Sequence, residues 1–216
     1  MTDWLARCDE LLPRAAVGEA VPWRDFCSAG GPHLTTCVEE WQRRGGFRHH
    51  RAAVVLVAFR AGWLACCATV PEVHWGLPVP VLASADAVLG PDGRLAGLAV
   101  RERRPVDVRG WWADVDAFFA PLARSLVALG AREKELWGNP VGLIGAVAAR
   151  MAAGGVPGDL LATATAMRAA TGRAELLTLT GTAEGWRARR RTCCQWWRAG
   201  GGYCGECVLL DSPSRR

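Results

Sequence analysis

Four cysteines crowd one stretch near the end of the chain: Cys193, Cys194, Cys204 and Cys207. Cys204 and Cys207 are spaced so that two thiolates converge on one small site, because the two residues between them form a tight turn that Gly205 makes easy to adopt. The glycines at 200–202 let the chain fold back and bring the vicinal pair, Cys193 and Cys194, to the same place. Four thiolates suffice for zinc, for a single iron, or for a [2Fe–2S] cluster. Structural zinc sites usually present two short Cys-x-x-Cys-like pairs. Here one pair is vicinal, and adjacent side chains reach a larger two-iron centre more readily than they form a zinc knuckle. Spacing alone leaves iron–sulfur, zinc and no metal all open.

The cysteines are bracketed by a basic run, Arg187, Arg189, Arg190, Arg191 and Arg198. Such charge could partly neutralise a thiolate-bound centre or draw in an anionic partner, and it could equally be a solvated arginine face. Trp196 and Trp197 could shield the centre or stack on a ligand, or simply pack as a lid. Upstream, Trp137 and Asn139 could shape a ligand pocket, or mark a helix start with Asn139 near the cap. Cys8, Cys27, Cys37, Cys66 and Cys67 are scattered among apolar residues and read as buried thiols. The histidines, His33, His49, His50 and His74, follow no ligand spacing.

The elements that must position this chemistry are mostly helical. Helices are expected over Trp4–Leu12 (ended by Pro13), Thr35–Arg44 (stopped by Gly45-Gly46), and Arg51–Thr69 (closed by Pro71). Further helices are expected over Trp111–Leu129, over Leu136–Ala153 with Pro140 near its first turn, and from Gly158-Asp159 to about Ala170. Between them, residues 77–108 read as a small antiparallel meander around the Gly90-Pro91-Asp92-Gly93 turn, with strands at Leu95–Val100 and Pro105–Val108. Glu175–Thr180 reads as a short extended run, and the last thirty residues as a ligand-bearing loop. The expected fold class is α+β, mainly helical with a small antiparallel sheet and a C-terminal cysteine-rich cluster loop. It forms one domain over 1–216, with the cluster segment at 187–208.

The bulk numbers fit a globular domain: 216 residues, half of them apolar and 22% charged. The net charge of +5, without a groove-reading motif, does not predict a nucleic-acid partner. Nine cysteines behind a start that lacks a basic region and apolar run point to a reducing, cytoplasmic setting and to metal or redox chemistry rather than disulfides. Ala52–Val70 is apolar enough to raise the question of a membrane span. Arg60 sits at its middle, where a charge costs roughly 2.5–3.5 kcal/mol on insertion. A buried core helix whose arginine reaches an edge is expected; no transmembrane span is predicted, and peripheral membrane contact stays compatible. No Gly-x-Gly-x-x-Gly or P-loop is present, so electrons would arrive from outside the chain.

The run Arg190-Arg191-Thr192-Cys193-Cys194, a glycine-rich spacer, then Cys204-Gly205-Glu206-Cys207 resembles the C-terminal signature of the FhuF-like ferric-siderophore reductases. Glu135-Leu136-Trp137-Gly138-Asn139 is similar to a Trp-Gly-Asn element of the same family. The spacer here is nine residues, Gln195 to Tyr203, one shorter than the family's pattern, and Val208 follows the last cysteine where proline is common. The resemblance implies that Cys193, Cys194, Cys204 and Cys207 hold a [2Fe–2S] cluster. It also implies a one-electron reduction of siderophore-bound Fe(III) to Fe(II) in the cytoplasm. The electron would come from an external donor, a ferredoxin or a flavin-dependent reductase. Arg190, Arg191, Arg198, Trp137, Asn139, Trp196 and Trp197 are then candidate contacts for substrate or donor, around a cleft between sheet and helices. The alternatives are a non-enzymatic zinc-stabilised module and a [2Fe–2S] electron carrier serving another enzyme.

Overall fold

The computed structural model describes residues 8–12, 18–183, 185–199, 202–204 and 207–211. The fold is α+β. Helices α1 (Trp23–Phe26), α2 (Pro32–Gly45) and α3 (His50–Trp75) follow strand β1 (Glu19–Pro22). Then come β2 (Val79–Pro80), β3 (Asp86–Leu89), β4 (Leu95–Ala99), β5 (Arg103–Arg104) and helices α4 (Val108–Ala128), α5 (Glu133–Ala153) and α6 (Leu160–Ala170). The chain closes with a hairpin, β6 (Leu177–Thr182) and β7 (Gly185–Arg190), and short 3-10 turns at Trp196–Ala199 and Val208–Asp211.

Helix α3 is the centre of the core. It is apolar all round, as a helix enclosed on every side must be. It packs most extensively on α5. At their crossing Gly62 lies against Pro140, where an added Cβ would sit 3.1 Å from the proline nitrogen. Helix α3 is long and apolar enough to cross a membrane, yet 78% of its most hydropathic window is buried inside the fold. Arg60 reaches the sheet edge as expected: Nε donates to the Leu95 carbonyl at 3.1 Å and Nη2 to that of Ala96 at 2.5 Å. Helix α4 opens on Asp107, whose side chain accepts from the Gly110 amide, and α6 on Asp159, which accepts from Ala162.

Several expectations shift. Helix α3 does not close at Pro71 but runs one further turn, to a left-handed Gly76. Val70, Pro71 and Glu72 are all buried, and that packing holds the turn although Pro71 supplies no N–H. The expected meander divides in two. β3 and β4 form the hairpin around residues 90–94, and β1, unforeseen, adds to β3 to give the order β1-β3-β4. β2 and β5 pair separately, and the strand expected at Pro105–Val108 is instead the lead into α4. Helix α5 begins at Glu133, three residues before the expected start, so Pro140 and Asn139 lie in its interior rather than its first turn. In the first expected helix, residues 8–11 are helical; Trp4 lies outside the described residues.

The largest change concerns the C-terminal stretch. Arg187, Arg189 and Arg190 of the basic run lie in a strand, not a loop: β7 pairs antiparallel with β6 from Leu177↔Arg190 to Thr182↔Gly185. The alternation of a strand then sends Ala188 and Arg190 into the protein while Arg187 is exposed. Strand β7 lies on α5, where Gly145 leaves room for Ala188; a Cβ there would come within 2.6 Å of the alanine methyl.

Candidate metal centre

The hairpin delivers the chain to its cysteines. Past β7 the Arg191 amide still bonds to the Leu176 carbonyl at 2.9 Å, and Cys193 and Cys194 follow directly. Gln195 adopts φ +66°, a left-handed conformation uncommon for a residue with a side chain. It turns its own amide back on the Cys193 sulfur at 3.3 Å. The Trp197 indole also hydrogen-bonds Cys193, and the Trp196 amide does the same for Cys194. At the other end the Cys207 amide donates to the Cys204 carbonyl at 3.0 Å, closing the tight turn expected between them; Gly205 itself lies outside the described residues, as do Gly200 and Gly201.

These turns bring two of the four sulfurs into contact. Cys194 and Cys204 share a hydrogen bond at 3.6 Å between sulfurs. Two sulfurs bound at 2.3 Å to one tetrahedral metal stand about 3.8 Å apart, so this pair already has the spacing of two ligands on one metal. Cys193 is within electrostatic reach of Cys194 and Cys207, and Cys204 of Cys194 and Cys207. Among the described residues no group of three or more His, Cys, Asp or Glu side chains forms a single-ion site as it stands. The set is one abutting pair, Cys194 and Cys204, with Cys193 and Cys207 linked to it electrostatically. Cys194 and Cys207 are buried, and Cys193 and Cys204 half-buried.

The thiols are already polarised. The hydrogen bond shared with Cys204 holds the Cys194 thiol below its ordinary pKa, helped by the Arg190 guanidinium and opposed by burial. Cys204 moves the opposite way, raised by that same bond and by burial. Cys193 is raised by burial, with the Gln195 amide pulling against it.

Helix α5 is cleared to receive this segment. A Cβ on Gly138 would fall 1.8 Å from Thr192 Oγ1, and one on Gly142 2.7 Å from Arg190 Cγ. Arg190, 1% exposed, runs along this groove and donates from Nη2 to the Asn139 side-chain oxygen and, at 3.3 Å, to the Gly138 carbonyl. Its Nε and Nη1, and the Thr192 hydroxyl, are buried without a hydrogen-bond partner. These three unpartnered donors belong to residues just before the cysteines, and the Arg190 charge acts on Cys194 and Cys204. A thiolate-bound metal or cluster with net negative charge fits both the donor set and the unanswered cation.

The remaining candidate residues separate by depth. Asn139 and Arg190 are fully buried and bonded to each other, so neither is a surface contact for a substrate or donor. Trp137 is buried in an aromatic group with Phe119 and Trp112, their ring centres 5.1 and 6.2 Å away, and Arg173 covers its face at 4.5 Å. It also borders a cleft of about 320 Å³ with Ala120, Ala123, Arg124, Val127 and Glu133, a lining that includes none of the four cysteines. Arg191, Arg198 and Trp196 are exposed beside the cysteines, as is Tyr203, which the sequence reading passed over. Arg198 lies 4.8 Å over the Trp197 ring and bonds Gln195 Oε1 at 2.7 Å. The other five cysteines are buried, and His74 is held by the Thr163 hydroxyl and the Pro157 carbonyl.

The chain matches no family model and no curated protein.

Proposed function

We propose that this protein is a [2Fe–2S] ferric-siderophore reductase, which adds one electron to siderophore-bound Fe(III) in the cytoplasm and so releases iron as Fe(II). The observation that carries the reading is the arrangement of Cys193, Cys194, Cys204 and Cys207. Cys194 and Cys204 stand at metal-ligand spacing, Cys193 and Cys207 are within electrostatic reach of that pair, and Arg190, buried without an ion-pair partner among the described residues, acts on both members of it. A two-iron centre takes two thiolates on each iron, which suits a pair plus two better than a single ion needing all four at one distance. The cysteine signature and Trp137-Gly138-Asn139, which resemble the FhuF-like reductases, supply the substrate class.

When bound, the cluster supplies single-electron transfer. The chain's own residues do the rest. The four cysteines hold the centre, and the Gln195 and Trp196 amides with the Trp197 indole donate to its sulfurs, which favours added negative charge. Arg191 and Arg198 present positive charge at the surface beside it, where an anionic ferric-siderophore or an acidic electron donor would dock. Exposed Trp196 and Tyr203 offer flat faces for the same encounter. Hydroxamate and catecholate oxygens hold Fe(III) tightly and Fe(II) weakly, so one electron is enough to free the metal. The electron comes from an external donor, a ferredoxin or flavin-dependent reductase.

Iron and acid-labile sulfide analysis of anaerobically purified protein tests this. Two of each per chain, with visible absorbance that dithionite bleaches, is expected. A colourless protein holding one zinc would overturn the redox reading in favour of a zinc-stabilised module.

A further inference from the structure

Arg190 is a full positive charge that no carboxylate answers among the described residues. It is 1% exposed, its side chain lies in the groove cleared by Gly142, and its guanidinium carbon stands 5.2 Å from the Phe59 ring centre. Its bonds go to two neutral oxygens, the Asn139 amide and the Gly138 carbonyl. Nε and Nη1 have no partner. The acidic residues that form ion pairs among the described residues pair with other arginines. An arginine stays protonated at any ordinary pH, so it cannot escape burial by losing its charge. Keeping an ion in the interior without its counter-charge is strongly unfavourable. Among the described residues Arg190 acts electrostatically on three thiols able to become anionic, Cys194, Cys204 and Cys66. Cys66 is deeply buried and its thiol donates to the Pro140 carbonyl, which leaves the cysteine site to supply the charge.

We infer that Arg190, fixed by Asn139 and seated in the groove cleared by Gly138 and Gly142, is the internal counter-cation of the four-cysteine centre and sets its potential from the core side. This rests on the reading that the four cysteines hold such a centre. Four thiolates around a doubly positive metal core carry net charge of −2, and reduction adds another negative charge. A fixed cation beneath the site stabilises the reduced form more than the oxidised one, and so raises the potential. Arg190 is a positioning and tuning residue; it touches neither substrate nor donor. The exposed arginines act through water and salt and have far less leverage.

The test compares full-length wild type, Arg190→Gln, Arg190→Lys and, as an exposed control, Arg187→Gln. Two quantities are read: the midpoint potential by anaerobic titration of the visible spectrum, and the melting-temperature gain on loading the metal-free protein. Arg190→Gln is expected to shift the potential downward and shrink the loading gain. Arg190→Lys should recover part of both, and Arg187→Gln should move neither appreciably. Should Arg190→Gln fail to fold, Asn139→Asp takes its place: a carboxylate against Arg190 competes for its charge, and the potential must again fall. Wild-type potential and loading gain in a folded, loaded Arg190→Gln or Asn139→Asp would overturn this inference alone. A wild type that binds zinc overturns the redox reading, while the loading gain still decides the role of Arg190. A wild type with no metal overturns both.

Discussion

The Arg190 guanidinium donates to the side-chain oxygen of Asn139 in the interior of the protein, joining the last residue of β7 to the middle of α5. Asn139 also donates to the Val55 carbonyl of α3 at 3.5 Å, so one amide ties the central helix to the cysteine segment. Asn139→Ala leaves the arginine with a single weak acceptor. It is expected to cost about 1.5–3 kcal/mol, the usual worth of a hydrogen bond to a charged group. Urea unfolding of the metal-free protein measures it.

Gly138→Ala and Gly142→Ala should both destabilise the protein, although alanine is worth about 1 kcal/mol more than glycine inside a helix. The new methyl groups would meet Thr192 and Arg190 at 1.8 and 2.7 Å. Forcing them in costs about 1–3 kcal/mol and displaces the start of the cysteine segment. Adding Thr192→Ala to Gly138→Ala should restore part of the loss, because the closest clash is with the hydroxyl. Melting temperature and metal content, measured together, follow both effects.

Serine at any of Cys193, Cys194, Cys204 or Cys207 is expected to abolish or bleach the visible chromophore. Alanine at Cys27, Cys37 or Cys66 should leave it intact, since those thiols lie elsewhere in the core. Loss of colour in the second group with the first unaffected would misplace the site.

Stability should fall in alkali. Burial raises the thiol of Cys66 to about 12 and that of Cys37 to about 11, and that of Cys27 higher still, each from an ordinary value of 9.0. Below pH 9 these thiols are neutral in both states. Above it the unfolded chain releases protons that the folded one keeps, so the stability they contribute is lost progressively as pH climbs from 9 toward 12. Melting curves of the metal-free protein between pH 8 and 11 check the trend, and Cys66→Ala should flatten it.

The Cys204–Cys207 turn was legible in the sequence because its spacing needs only local structure. The long apolar helix and its edge-seeking Arg60 were legible for the same reason, since composition alone demands burial. What the sequence concealed was direction. Arg187 to Arg191 read equally as a solvated face or as charge serving the cysteines, and only pairing with β6 imposes the alternation that buries Ala188 and Arg190. The clue lay in α5, where Gly138, Asn139, Pro140, Gly142 and Gly145 are all poor helix formers in one helix. Packing against α3 and β7 overrides that local preference, and the three glycines mark where other chain segments come too close for a side chain. Strand β1 escaped notice because its four residues are strand only by virtue of β3 beside them.

Electron delivery to siderophore-bound iron is tested most directly with dithionite-reduced protein, freed of excess reductant and mixed anaerobically with ferric hydroxamate and catecholate complexes. Cluster reoxidation with one Fe(II) captured by a ferrous chelator per electron, for at least one complex, is the predicted result. A cluster that stays reduced against every complex, with no Fe(II) captured, would contradict the account and leave an electron carrier for some other enzyme.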